Sequence, residues 1–95
     1  MARVKSDVQR TIDRWLDYLL EAWQNLPKVE REIDNWDLIE QIDYVEEWTP
    51  KLDVANHLAE LVASSEVTNE QRERYEQLQE LMRRNRPILE RLRAS

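Results

Sequence analysis

Asp53, His57 and Glu60 stand at i, i+4 and i+7, a spacing that places two carboxylates and an imidazole on adjacent turns of one helix face. These are the ligand types of carboxylate-bridged metal bundles, and a carboxylate beside an imidazole also suits acid–base work. The order His57-Leu58-Ala59-Glu60 reverses the Glu-x-x-His pair of such bundles, and His57 is the only histidine. The trio lies away from the leucines of its own helix, where an Asp–His pair is an ordinary solvent-facing contact. A second acidic group, Asp37, Glu40, Asp43 and Glu47, falls within about 120° of arc, opposite an apolar side. Such a stripe can hold a divalent ion, dock a basic partner or imitate nucleic-acid phosphates, and it is equally the solvated face of an amphipathic helix. Magnesium needs oxygens converging from more than one element, or substrate phosphates as well. Among functional uses of the stripe, docking of a basic protein partner is the leading expectation, with Trp48, at the helix end, as the interface candidate.

Three further patterns bear on function. The pattern Asp37, Glu40, Asp43 is loosely similar to the acidic pairs of all-helical nucleotide pyrophosphatases, over too few residues to place the chain in that family. Arg83, Arg84, Arg86, Arg91 and Arg93 could bind phosphates, since clustered guanidinium groups release counterions. On a helix they scatter over roughly 180° and alternate with Glu80 and Glu90, which favours solvated salt pairing and makes nucleic acid an unlikely partner. Asn85 falls near the centre of an apolar stripe between Met82 and Leu89. There it can either fix the register of an oligomer or satisfy a backbone group freed by Pro87.

The elements that position these residues must be built without glycine, which is absent from all 95 residues. Glycine supplies left-handed turns at no steric cost, so hairpins and sandwiches are disfavoured and helices with tight corners expected. Cysteine is also absent, which excludes disulfides, thiolate zinc sites and a cysteine nucleophile, and makes the cytosol the default compartment. No apolar run approaches the ~18 residues of a membrane span, so no membrane association is expected. The missing glycines also exclude a phosphate loop, a nucleophile elbow and a glycine-rich cofactor turn, leaving no implied cofactor. Net charge is −6 and unevenly spread: residues 28–50 carry eight carboxylates against two cations, residues 71–95 seven arginines against four glutamates.

Apolar spacing places four main helices. Ser6-Asp7-Val8-Gln9 has the form of a capping box, and Val8, Ile12, Trp15, Leu19, Ala22 and Leu26 follow at helical spacing, flanked by Leu16, Leu20 and Trp23. This first helix is expected to end near Asn25, as a left-handed residue, with Pro27 restarting the chain. A connector leads to a second helix over about 35–48, capped by Asp34 and turning Leu38, Ile39, Ile42 and Val45 to one apolar side. Thr49-Pro50 marks a corner before a third helix over about 50–64, which buries Leu52, Val54, Ala55, Leu58, Leu61 and Val62. Thr68-Asn69-Glu70-Gln71 opens a fourth, whose face of Tyr75, Leu78, Leu81, Met82, Ile88, Leu89 and Leu92 keeps its phase across Pro87. One kinked helix is expected there.

The sequence thus predicts a single all-α domain over residues 1–95, with four main helices in an antiparallel bundle, short proline-marked corners and a kink at Pro87. A chain this short with wide apolar faces is expected to form a homodimer. The leading functional expectation is a non-catalytic interaction or regulatory module. The alternatives are a metal-binding protein or metal-dependent hydrolase using the helix 2 and 3 carboxylates with His57, and a nucleic-acid-associated protein using the C-terminal arginines.

Overall fold

The computed structural model describes residues 6–94. Every regular element among them is helical: α1 spans Asp7–Glu32, a 3₁₀ turn Ile33–Asn35 follows, then α2 Leu38–Glu46, α3 Trp48–Ser64 and α4 Asn69–Ala94. The all-α expectation holds, but four separate rods do not form. Only Glu47 separates α2 from α3, and its backbone stays in the right-handed helical region (φ −64°, ψ −17°), so the chain makes three long helical runs. The corner expected at Thr49-Pro50 is absent: α3 already begins at Trp48, and Pro50 sits within its first turn, where an amide has no helical acceptor to lose.

The start of α1 follows its sequence signature. The Gln9 amide donates to the Ser6 hydroxyl at 3.1 Å, and the Ser6 amide donates back to Gln9 Oε1 at 3.2 Å. Its end does not. α1 passes through Pro27 and runs to Glu32, although an interior proline costs about 3 kcal/mol. Val29 and Ile33 continue the buried face beyond the proline, and burial of such side chains, about 1.5–3 kcal/mol each, offsets the loss. Asn25 is accordingly helical, and no residue described has a positive φ. The turns that glycine would ordinarily make are built from extended residues instead, Trp36 before α2 and Ser65 after α3.

α4 is uninterrupted through Pro87. Its own capping box forms at Thr68 and Gln71.

Two sets of contacts fix how the rods lie. The Trp15 ring lies tilted beside His57 (6.4 Å between ring centroids) and Trp23 packs edge-on against Trp48 (4.9 Å), so α1 and α3 run antiparallel. Gln71 bonds to Gln9 and Asp13, Arg74 pairs with Asp17, and Arg91 with Glu30, so α1 and α4 run parallel. In an antiparallel bundle of four, the first and last helices would oppose each other. Here α2 and α3 together make one return pass, which leaves α1 and α4 in the same direction. The molecule is a rod of 53 × 22 × 22 Å, in keeping with 26-residue helices of about 39 Å.

α1 is the spine. Ile12, Leu16, Leu19, Trp23 and Leu26 form the centre of the core with Trp48 and Leu58 on one flank and Leu78 and Leu89 on the other. α3 and α4 lean mainly on α1 and little on each other. A groove of about 410 Å³ remains between them, over the buried Trp23 ring.

Candidate protein-docking surface

Asp37 is the N-cap of α2 and not, as its sequence position suggested, a residue of the first turn behind an Asp34 cap. Its carboxylate accepts the Glu40 amide at 2.9 Å, and Asp34 lies in the 3₁₀ turn. That amide bond holds the Asp37 carboxyl below the usual carboxylate range. Glu40 is pushed the other way, by a side-chain hydrogen bond to Asp37 and by its negative charge. Asp43 and Glu47 are exposed, and Glu47 approaches Lys51 at 3.9 Å. The Lys51 ammonium also lies 5.7 Å from the ring centres of Tyr18 and Trp48, so this one cation near the stripe is held locally.

The apolar side of α2 is turned by about a quarter of the helix from where periodicity placed it. Trp36, Tyr44 and Trp48 form an edge-to-face chain, with centroids 5.6 Å and 6.4 Å apart, that reaches Trp23 in the core. These large rings bury more surface than aliphatic residues and set the rotation of the helix. Burial raises the Tyr44 phenol above its usual pKa. Gln41, whose side chain donates to the Trp36 carbonyl at 2.9 Å, and Val45 share the inward side. Leu38, Ile39 and Ile42, expected in the core, are instead 69%, 71% and 47% exposed, and α2 has no buried residue.

Beside them lies a depression of about 360 Å³ lined by Ile33, Leu38, Ile42, Val45 and Leu92. Its two charged lining residues, Asp34 and Glu46, are both carboxylates. From sequence Asp34 is read only as a helix cap and Glu46 is not singled out, and the aliphatic residues of α2 are not expected as surface groups. The available signal was that Leu38, Ile39, Ile42, Tyr44 and Val45 cover more of a nine-residue helix than one contact face can bury.

The other sequence candidates are placed as follows. Trp48 is 1% exposed and belongs to the core, so it is no interface anchor; its contacts with Trp23 and Tyr44 absorb it. Asp53, His57 and Glu60 are all exposed, and the His57 ring lies near Trp15. They do not converge, and no group of three or more such ligand side chains among the described residues could hold a metal ion. The arginines divide. Arg83 and Arg84 pair with Glu80, which lowers the Glu80 pKa, and Arg91 pairs with Glu30. Arg86 and Arg93 instead line the groove between α3 and α4 and make no ion pair among the described residues. Asn85 is half-buried and makes no side-chain hydrogen bond there, so it does not satisfy a carbonyl freed at Pro87. No helix among the described residues is long and apolar enough to cross a membrane.

Gln71, read from sequence only as part of a helix start, is 2% exposed. Its amide donates to the Gln9 carbonyl and to the Asp13 carboxylate, each at 2.9 Å, while its oxygen accepts the Thr68 amide. Gln9 reaches in turn to the Glu66 carbonyl at 3.3 Å. The capping-box pattern marked both glutamines locally without showing that they tie the two helix entries together.

Set against family models, curated proteins and solved structures, the chain has no match in any of the three comparisons.

Proposed function

We propose that this protein is a non-catalytic interaction module that docks a basic, partly apolar partner segment on α2. The observation that carries this reading is the exposure of Leu38, Ile39 and Ile42 beside Asp34, Asp43 and Glu46. Aliphatic side chains exposed in this way contribute little to the fold of the lone chain, but they can anchor a partner helix. Carboxylates around such a patch favour encounter with a cationic surface and disfavour acidic ones. The partner-binding residues are therefore Leu38, Ile39 and Ile42 as apolar contacts, with Asp37, Glu40, Asp43, Glu46 and Glu47 supplying the field.

Titration with a synthetic amphipathic helix of leucine and lysine tests this. The expected result is saturable binding that weakens with salt. It should be lost when Asp37, Glu40, Asp43 and Glu47 are reversed to lysine, and also in Leu38→Gln/Ile39→Gln/Ile42→Gln, which leaves the charge unchanged. Peptide affinity unaffected by either set would reject α2 as the docking helix.

A further inference from the structure

The molecule carries a second unfilled apolar surface, and its charge is opposite in character to that of α2. The groove between α3 and α4 is walled by Leu52 and Ala55 on one side and Met82 and Leu89 on the other, with Arg86 and Arg93 along the α4 rim. Of the charged residues lining it, two are arginines and one, Glu90, is an acid. The only charged residues lining the depression beside α2 are carboxylates. α4's other C-terminal arginines are engaged with Glu80 and Glu30, whereas Arg86 and Arg93 have no ion-pair partner among the described residues. They stand two turns apart, on the face that also carries Leu89.

We propose that the occupant of this groove is α2 of a second copy of the chain, each copy placing Leu38, Ile39 and Ile42 between α3 and α4 of the other with Asp43 and Glu46 toward Arg86 and Arg93. The proposal rests on the reading of α2 as a docking helix and names its partner.

Three observations support it. The lengths agree: nine residues of α2 make about 14 Å of helix, and Met82 to Arg93 offers about 16 Å of groove. The two surfaces are neighbours, since Leu92 borders the depression beside α2 while Leu89 and Arg93 border the groove, on either side of the last turns of α4. A two-fold axis passing between them brings both contacts together at once, giving a closed dimer in which each surface meets its complement twice. The groove is also where a further rod would complete the packing around α1, which α3 and α4 leave open toward each other. The uneven charge of the chain, acidic in residues 28–50 and basic in 71–95, then becomes the means by which a copy recognises itself.

Sedimentation velocity and a charge-swap pair test the proposal. The wild-type chain is expected to dimerise, more weakly at high salt. Asp43→Lys/Glu46→Lys and Arg86→Glu/Arg93→Glu should each weaken dimerisation at least tenfold while keeping the helical circular dichroism of the parent. All four positions are exposed and none makes a side-chain ion pair among the described residues, so neither change breaks an internal ion pair. Mixing the two variants should restore a dimer, because reversed α2 meets reversed groove at one contact and native meets native at the other. A wild-type chain that stays monomeric, or an arginine variant that dimerises as well as wild type through α2 alone, overturns the proposal. A monomer that still binds the leucine–lysine helix would overturn self-pairing and leave the docking role of α2 standing. A monomer that does not bind it would remove both.

Discussion

The two ends of this rod are built on opposite terms. Where α1 and α4 begin, the polar groups are spent on each other: Gln71 bonds Gln9 and Asp13, Gln9 bonds Glu66, and Arg74 pairs with Asp17. At the other end α2 is attached mainly through Tyr44, with Gln41 and Val45 beside it, and leaves Leu38, Ile39 and Ile42 largely exposed. Stability is therefore concentrated along α1, α3 and α4, and α2 is carried by a fold that needs little from it. Apolar surface kept at an end that does not need it for folding is surface available to a partner.

The largest effects should fall in the spine. Leu16→Ala or Leu58→Ala empties a fully buried site and is expected to lower unfolding free energy by about 2–5 kcal/mol in urea titration. Ile39→Ala should stay within about 0.5 kcal/mol of the parent, as for an exposed position. Next comes the latch: Gln71→Leu strips the bonds to the Gln9 carbonyl, the Asp13 carboxylate and the Thr68 amide, and should cost about 1–3 kcal/mol by the same titration. In dilute protein, amide exchange should separate the two regions, with α2 amides exchanging about tenfold or more faster than those of Ile12 to Leu26. Uniform protection along the chain would erase the contrast.

The smallest effect is a pH dependence, which α2 contributes in two opposing parts. The Asp37 carboxyl is depressed in the fold, so its capping contribution is present above its ordinary 3.8 and is lost as pH falls through the lower folded value. Glu40 is raised above its ordinary 4.5, so its charged form is disfavoured by folding and protonation through that raised value adds stability first. Helicity followed by circular dichroism on acidification should rise slightly and then fall. Asp37→Asn, which keeps a capping oxygen, should remove the later fall.

Much of this was legible in the sequence, and the failures share a cause. The all-helical class, the two capping boxes and the continuity of α4 through Pro87 follow from local chemistry, which the chain itself contains. The end of α1, the rotation of α2 and the place of Trp48 do not, because each is decided by burial against a distant element. Val29 and Ile33 carry α1 past a proline that should have ended it, and Tyr44 outcompetes three aliphatic residues for the inside of α2. Gln71 was visible as a cap, but its second role needed the parallel approach of α4 to α1. Asp53, His57 and Glu60 illustrate the converse: spacing put them on one helix face, and no second element closes over them.

Urea unfolding of Leu38→Gln/Ile39→Gln/Ile42→Gln, measured beside Leu16→Ala, shows most directly whether α2 stands outside the core. Glutamine has nearly the helix preference of leucine and a slightly better one than isoleucine, so any loss of stability in the triple change reports lost burial. In dilute protein, the unfolding midpoint of the triple variant should match the parent, while Leu16→Ala falls well below it. A triple variant that unfolds as early as Leu16→Ala would mean that α2 is part of the core, and the case for it as a docking helix would be gone.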